Sequence, residues 1–301
     1  MRNEFDFKVA DRNGEIIESY QKQDTTLNFL YGSFYGRILL KLLTRPFVSK
    51  IAGAYMNSGR SRGMIKGFVE KQKIDMSQYE EREFNSYNDF FTRKVKVEKR
   101  PIDFSSESLI SPCDSKLSAY KIDDDSIFEI KNSFYSIYDI LGGSDKAFEF
   151  SEGYCLIFRL AVDDYHRYCY FDNGTKGENI YIKGELHTVK PIALNKYNIY
   201  KRNCREYTIM RTENFGEAIQ IEVGAMMVGK IKNFHGEYKF KRGEEKGLFE
   251  FGGSTIVLLL KKDTVQIDPD IIENTKNGIE TVVKLGEKIG SKLGYSKEIK
   301  Q

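Results

Sequence analysis

From about Ser108 onward, the sequence consists of short runs of aliphatic and aromatic residues separated by Gly, Asn and Asp. Runs of this length, bounded by turn-forming residues, are typical of β-strands. In one run Ile219, Ile221 and Val223 alternate with polar residues, as in a strand with one buried face. The predicted strands are residues 154–162, 207–211, 218–223, 256–260 and 265–267. Because a helical segment follows only after Pro269, the pattern predicts a mostly antiparallel β core.

Residues 28–73 differ from this pattern because they are both basic and apolar. They contain nine Lys and Arg residues and one acidic residue. Helical spacing places six apolar side chains on one face, and Pro46 is predicted to end the helix: Leu27, Leu30, Tyr31, Phe34, Ile38 and Leu42. Arg37, Lys41 and Arg45 form a cationic stripe on one flank. Two interpretations stay open, a helix in the headgroup layer of an anionic membrane or a buried helix of a helical subdomain.

Together these patterns predict an α+β protein in which a helical N-terminal part packs on the β core. We expect the helical, basic N-terminal part in residues 1–107 and the β-rich core in residues 108–301.

Composition excludes several other classes of protein. The 301 residues include 21 Phe and 19 Tyr, which is too much apolar surface for a disordered chain. A net charge of +3 does not indicate nucleic-acid binding. The four cysteines form no CxxC pair, which argues against zinc-ribbon and thioredoxin-type sites. Neither a signal peptide nor an apolar run of about 18 residues is present, so we expect a cytosolic redox setting.

The most unusual stretch is residues 249–257 (FEFGGSTIV), where two glycines and a serine interrupt a strand pattern. One interpretation is a β-bulge with a surface serine. The other is chemical, because a bent backbone allows Ser254 Oγ to attack the carbonyl carbon of Gly253. The resulting ester is broken by elimination, and the serine becomes a pyruvoyl group. Glycine before the serine leaves the attack unobstructed.

Such an attack needs a base, and the chain has three histidines, His166, His187 and His235. Each taken alone is typical of a surface or core histidine. His166 stands out because two acids, an arginine and tyrosines surround it after the 154–162 strand. Asp114 is a further candidate, although an Asx turn after Pro112 explains it equally well.

Several segments in the same order and spacing resemble the phosphatidylserine decarboxylases, specifically their bacterial branch, over most of the chain. The matching segments are residues 84–94 (FNSYNDFFTRK), 100–102 (RPI), 111–114 (SPCD), 164–167 (DYHR), 223–225 (VGA), 243–247 (GEEKG) and 249–255 (FEFGGST).

The resemblance implies a proenzyme cut between Gly253 and Ser254 into a β chain of residues 1–253 and an α chain of residues 254–301. Ser254 becomes the covalent pyruvoyl cofactor, and Asp114 matches the aspartate that orients a charged histidine. Family members often carry two histidines three residues apart, where this chain has His166 and Cys169. Either one serves self-cleavage, and we favour His166 because imidazole is the better-matched base near neutral pH. No metal site is predicted, because His166 and Cys169 lack two further ligands.

By the same resemblance, the pyruvoyl carbonyl acts as an electron sink while phosphatidylserine loses CO₂ and becomes phosphatidylethanolamine. His166 is the implied proton donor. The expected partners are phosphatidylserine, an anionic membrane surface on the cytoplasmic side of the cell membrane, and the two cleaved chains as a heterodimer. Nucleic acid is not expected, and the oligomeric state, including a homo-oligomer, stays open. Alternatives are a lipid-binding relative that does not cleave, because of Cys169 and Ser115, and a pyruvoyl decarboxylase of another amine.

Overall fold

The fold is taken from a computed structural model, which describes residues 7–20, 25–130, 133–187, 199–225, 230–252 and 254–294. The strands in this part of the chain are β1 (Phe7–Ala10), β2 (Ile16–Tyr20), β3 (Ser108–Ile110), β4 (Ser115–Lys121), β5 (Ile127–Ile130), β6 (Ser133–Ser136), β7 (Tyr154–Leu160), β8 (Arg167–Cys169), β9 (Gly174–Lys176), β10 (Ile180–Ile182), β11 (Arg205–Thr212), β12 (Glu217–Val223), β13 (Ile231–Asn233), β14 (Tyr238–Phe240), β15 (Glu245–Phe249), β16 (Ser254–Leu260), β17 (Val265–Ile267), β18 (Ile279–Val283) and β19 (Lys288–Lys292). The α-helices are α1 (Thr25–Gly32), α2 (Phe34–Leu43), α3 (Pro46–Met56), α4 (Met64–Gln72), α5 (Tyr87–Phe91), α6 (Ile137–Ile140), α7 (Ile199–Arg202) and α8 (Pro269–Lys276).

A large sheet dominates the described residues, in the order β14-β9-β11-β12-β16-β7-β4-β18-β1-β2, with β10 also paired to β11. Its central strand β16 has the sequence STIVLLL and is buried along its whole length. It pairs antiparallel with β12 on one side and β7 on the other. Both faces of this strand are covered, so it carries an apolar run rather than alternation.

Side chains that alternate along β16 enter two separate cores. Val257 and Leu259 pack with Leu30, Tyr31 and Leu40 of the N-terminal helices. The neighbouring β16 residues Ile256, Leu258 and Leu260 enter a core on the opposite face. The α+β class and the packing of N-terminal helices on a mostly antiparallel sheet are confirmed.

Smaller sheets flank the large one in the described residues: β13-β15-β8, β17-β19-β3 and β5-β6. The important one for the site is β13-β15-β8, because β15 leads directly toward β16. The chain therefore passes from one sheet to another between Phe249 and Ser254.

The predicted single helix ending at Pro46 is instead two helices, and Pro46 begins a third. Ser33 interrupts the helix because its Oγ accepts the Gly36 N–H at 2.9 Å, which caps the start of α2. A Cβ at Gly36 would lie 1.9 Å from the Phe29 carbonyl oxygen, so only glycine fits there. Proline suits the first turn of α3, where its missing N–H has no helical partner.

Strands also occur at both ends of the chain where the sequence analysis did not predict them. In the N-terminal part, β1 pairs parallel with β18 and antiparallel with β2, which extends the large sheet. After α8, the chain forms β18 and β19. The boundary at residues 107 and 108 stays a prediction. No helix in the described ranges has the length and apolar character needed to cross a membrane.

Candidate active site

Ser254 is the first residue of the central strand β16 and is fully buried. Its place in the sheet is set by antiparallel pairing with β7, where Ser254 lies opposite Leu160. The other predicted cleavage residue, Gly253, lies outside the described residues.

The backbone that leads into this strand is held by three consecutive N–H groups. Phe249 donates to the His166 carbonyl (2.9 Å), Glu250 to the Lys230 carbonyl (3.0 Å) and Phe251 to Asn88 Oδ1 (2.8 Å). Gly252 then adopts φ = +132°, a conformation that favours glycine. The turn before Ser254 is thus anchored to three different segments, which is stronger positioning than a simple bulge provides.

His166 lies in the loop between β7 and β8 and hydrogen-bonds Ser254. Its Nε2 is 2.8 Å from the Ala161 carbonyl oxygen, and its Nδ1 is 3.4 Å from Ser254 Oγ. A carbonyl only accepts hydrogen bonds, so Nε2 must carry the proton. In the neutral ring Nδ1 therefore holds a lone pair and accepts the Ser254 hydroxyl proton. This is the arrangement that a general base requires.

Burial keeps this imidazole neutral. His166 is fully buried, and the Phe91 ring packs on it with 4.2 Å between ring centroids. Burial lowers the pKa of His166 from 6.5 to about 4, although the charge of Asp164 opposes part of this shift. At neutral pH the ring is thus ready to accept a proton.

A buried ion pair shapes the loop that carries His166. Lys116 Nζ lies 2.9 Å and 2.8 Å from the two Asp164 carboxylate oxygens, and Asp164 also accepts the Ala161 N–H at 2.7 Å. Burial is the largest single influence and would raise the pKa of Asp164, but the charge and hydrogen bonds of Lys116 together with the Ala161 N–H outweigh it, so the pKa lies below its usual value. Ala161 is therefore held through its N–H by Asp164 while its carbonyl holds His166.

Asp114 lies in a different network from the one predicted. Its carboxylate accepts two hydrogen bonds from Arg100 Nε (2.8 and 3.0 Å) and one from Arg100 Nη2 (2.6 Å). It also accepts the Leu285 N–H at 2.9 Å and lies 3.5 Å from Lys284 Nζ. Within the described part of the chain, Asp114 and His166 share no hydrogen bond. The structure brings Ser254 and His166 together, whereas Asp114 pairs with Arg100.

Cys169 and the other two histidines also have defined environments. Burial raises the pKa of the Cys169 thiol to about 12, so it is protonated at neutral pH. His187 Nε2 lies 2.9 Å from Glu185 Oε2. His235 accepts or donates at 3.1 Å with the Tyr170 hydroxyl and stacks on Tyr238. Among the described residues, His166 is the histidine that hydrogen-bonds Ser254.

Sequence reasoning missed Lys116, Asp164 and Phe91 as parts of this site. Asp164 and Phe91 were within segments quoted for the family resemblance, so their position in the motifs was the available signal. Nothing in the sequence pairs Lys116 with Asp164, because the two residues are 48 positions apart.

An apolar wall separates this centre from water. Phe251 packs edge-on against Tyr87 and Phe91, with ring centroids 5.0 Å and 5.4 Å away. The same cluster contains Met56 of α3 and, partly buried, Phe68 of α4. A buried serine and a neutral imidazole behind aromatic rings suit chemistry that must be protected from water.

Comparison with known proteins identifies the family of the chain. The family model for phosphatidylserine decarboxylase matches residues 87–291. The chain belongs to the phosphatidylserine decarboxylase family. The matched region contains Ser254, His166, Asp114 and Asp164, so the whole candidate site lies within it.

Curated members of the phosphatidylserine decarboxylase family resemble the chain over most of its length. "Phosphatidylserine decarboxylase proenzyme 2" of Clostridium acetobutylicum is 51% identical, over 92% of this chain and 95% of its own length. "Phosphatidylserine decarboxylase proenzyme" of Ruminiclostridium cellulolyticum is 46% identical, over 88% of this chain and 90% of its own. The protein of the same name from Clostridium perfringens is 44% identical, over 88% of this chain and 92% of its own length.

Burial of His166 predicts a pH-dependent stability that can be measured in the Ser254→Ala chain, which lacks the Ser254 hydroxyl. The pKa of His166 is about 4 in the folded chain and near 6.5 when unfolded, so between these values the unfolded chain binds the extra proton. Its contribution to the free energy of unfolding is therefore complete above pH 6.5 and falls as the pH drops toward 4. Chemical denaturation at pH 7 and pH 4.5 should reveal a loss of about 2–3 kcal/mol from this residue.

The matched control is Ser254→Ala combined with His166→Gln, in which position 166 does not titrate. All other groups cancel in the comparison. Equal pH dependence in the two chains would mean that His166 is accessible to protons in the folded state.

Proposed function

We propose that the chain is a phosphatidylserine decarboxylase proenzyme. It cleaves itself between Gly253 and Ser254, and the mature enzyme converts phosphatidylserine into phosphatidylethanolamine and CO₂. Family membership supports the reaction, and the names of the curated relatives support a proenzyme. The single observation that carries the proposal is the contact between Ser254 Oγ and the unprotonated Nδ1 of His166.

Self-cleavage begins when His166 Nδ1 takes the hydroxyl proton and Ser254 Oγ attacks the Gly253 carbonyl carbon. Collapse of the oxyanion breaks the Gly253–Ser254 C–N bond, returns the proton to the nitrogen and leaves an ester. Loss of the Ser254 Cα proton then breaks the Cβ–Oγ bond, which releases Gly253 as a carboxylate and leaves dehydroalanine. Water displaces the nitrogen as ammonia and completes the pyruvoyl group.

His166 is assigned the base role rather than Cys169. The neutral imidazole presents an unprotonated nitrogen to the hydroxyl, whereas a thiol with a pKa of about 12 holds its own proton and is not available as a thiolate. Asp114 is proposed to act on the site indirectly. Its bond to the Leu285 N–H ties the loop after Pro112 to the α chain beyond the cut.

In the mature enzyme, the pyruvoyl group supplies an electron sink for the pair that CO₂ leaves behind. The chain's own residues do the remaining work. Tyr87, Phe91 and Phe251 exclude water, and His166 Nδ1, once it has taken up a proton, is placed to pass it to the Cα that CO₂ leaves. Because Ala161 anchors Nε2, Nδ1 continues to face the position of residue 254.

Self-cleavage is tested by following the 34.9 kDa precursor during cell-free synthesis, with intact mass spectrometry of the products. Wild type should yield residues 1–253 and a residue 254–301 fragment with a blocked, pyruvoyl N-terminus. Ser254→Ala should stay whole. His166→Ala should cleave about 10²- to 10⁴-fold more slowly, because general-base help is lost.

Cys169→Ser is the matched control at the neighbouring candidate, and it should cleave at the wild-type rate. If His166→Ala cleaves rapidly and Cys169→Ser does not cleave, the base of self-cleavage is Cys169 and not His166. A wild-type chain that remains whole would support the non-cleaving relative instead. Release of ¹⁴CO₂ is then measured from carboxyl-labelled phosphatidylserine and from carboxyl-labelled free serine. Release from phosphatidylserine alone supports the lipid substrate, and release from free serine supports a decarboxylase of another amine.

The proposal includes peripheral binding to an anionic membrane through α2 and α3. Leu30, Tyr31 and Leu40 are buried. The opposite side exposes several large apolar side chains: Phe34 (66%), Tyr35 (76%), Ile38 (56%), Phe47 (70%) and Ile51 (57%). Arg37 and Lys41 are exposed on α2, and Arg45 is exposed just before α3. Apolar residues beside cations are the combination that the headgroup layer stabilises.

A pocket of about 330 Å³ adjoins this surface between α2 and the segment after β10. Arg37 and Lys41 line it from the helix, and His187 and Arg202 line it from the other side. Glu185 lies in the same pocket and pairs with His187. The excess of positive charge in a concave site favours contact with phosphate groups of lipids.

Neutralising this surface should weaken vesicle binding. The triple variant Arg37→Gln, Lys41→Gln, Arg45→Gln should bind vesicles containing phosphatidylglycerol about 100-fold more weakly at low salt, since each cation contributes about 1 kcal/mol. Sedimentation with vesicles measures this. The control triple Lys239→Gln, Lys241→Gln, Lys276→Gln makes the same charge change elsewhere and should sediment like wild type. Equal losses of vesicle binding in the two triple variants would show that binding depends on the net charge of the protein rather than on this surface.

A further inference from the structure

Arg93, two residues after α5, is the unusual buried cation of the described residues. It is 1% exposed, and its guanidinium lies over the rings of Tyr79 (4.1 Å) and Phe90 (4.6 Å). Nη1 donates to the Phe90 carbonyl at 3.4 Å. Nε and Nη2 are buried and form no hydrogen bond with any residue that the structure describes.

Two other buried arginines show which partners the Nε/Nη2 edge of a guanidinium binds. Arg100 donates hydrogen bonds from Nε and Nη2 to the Asp114 carboxylate, and Arg159 donates from the same two atoms to the Glu280 carboxylate. These atoms form the side-on fork that matches two oxygens of a carboxylate or a phosphate. In Arg93 the same fork is buried but forms no ion pair within the described ranges.

The energetics require a partner for this fork. A buried guanidinium without an anion is costly, and stacking on two rings offsets only part of that cost. The rings orient the guanidinium plane and leave its Nε/Nη2 edge as the remaining donor surface. An anionic group with two oxygens completes the set of interactions.

Arg93 lies beside the Ser254–His166 pair. The segment that carries it packs against the His166 loop, since Phe91 stacks on His166 and Arg167 Nε donates to the Thr92 carbonyl at 2.8 Å. The charge of Arg93 also contributes to the lowered pKa of His166, where burial is the largest cause. A substrate that reacts at residue 254 therefore lies within the electrostatic reach of Arg93.

We propose that Arg93 binds the headgroup phosphate of phosphatidylserine through Nε and Nη2. This inference rests on the proposed function. The substrate carries two anionic groups, and the reaction itself distinguishes them. The carboxylate loses its charge as CO₂ leaves, so an ion pair with it would stabilise the ground state more than the transition state and slow the reaction. The phosphate keeps its charge throughout, so Arg93 holds substrate, transition state and product equally well.

Steady-state kinetics of the mature enzyme with soluble dihexanoyl phosphatidylserine test this assignment. Arg93→Gln should raise KM about 10- to 100-fold, as expected for losing hydrogen bonds to a charged group, while kcat stays within about threefold. Arg93→Lys keeps the charge without the fork, so its KM should lie between those of Arg93→Gln and wild type. If Arg93→Gln does not fold, the KM of Arg93→Lys still tests the assignment.

Inhibition by dihexanoyl phosphatidylethanolamine separates the phosphate from the carboxylate, because the product retains only the phosphate. Its inhibition constant should rise by the same factor as KM. A raised KM with unchanged product inhibition would assign Arg93 to the carboxylate and overturn the proposal. Unchanged KM and unchanged inhibition would leave Arg93 a structural residue, and loss of self-cleavage in both variants would assign it to processing.

Arg82→Gln is the matched control, because Arg82 also stacks on an aromatic ring, Phe84, but already pairs with Asp89 at 2.7 Å. It should leave KM and product inhibition unchanged. The wild-type assay distinguishes a failure of the proposed function from a failure of the Arg93 assignment. An inactive wild type would contradict the proposed function, whereas an active wild type with unaffected Arg93 variants contradicts only the role of Arg93.

Discussion

The hydrogen bond from His166 Nε2 to the Ala161 carbonyl is the constraint on which the site depends. It fixes which ring nitrogen carries the proton and so leaves Nδ1 to face Ser254. Without it the imidazole could rotate or exchange tautomers, and burial alone would not make it a base. Burial and the choice of tautomer act together, because a neutral imidazole can accept the serine proton only when its unprotonated nitrogen faces the hydroxyl.

This bond is in turn maintained by charges that never touch the serine. Lys116 neutralises Asp164, and Asp164 holds the Ala161 N–H. Removing either charge leaves the other buried and unpaired, a loss that typically costs about 3–5 kcal/mol. The same two residues connect β4 to the β7–β8 loop, so the sheet and the site share one ion pair. Stability and positioning are therefore difficult to separate at this point of the fold.

Patterns within one segment were predictable from sequence, and contacts between distant segments were not. Strands β7, β11, β12, β16 and β17 were predicted because their apolar residues are continuous or alternate between turn residues. Strands β18 and β19 were missed because they are only five residues long each and pair with neighbours from distant segments, β4, β1 and β3. Ser254 and His166 were named from motif and chemistry, whereas the pairing of Asp114 with Arg100 arises from packing that spacing does not reveal. Arg93 was visible only as one letter of a motif, since its buried fork is a property of the folded chain.

The position of the proposed cut explains how the enzyme survives its own processing. Cleavage between Gly253 and Ser254 removes one covalent link, but β16 remains hydrogen-bonded along its length to β12 and β7, which both belong to the β chain. The α chain also contributes β18, which pairs with β4 and β1, and the Leu285 N–H that Asp114 accepts. Separating the two chains would expose the buried residues of β16 on both faces of the sheet. The proposed new chain end would therefore be retained inside the core, where His166 and the aromatic wall already surround residue 254, and the cut would alter the chemistry of that residue without releasing it to water.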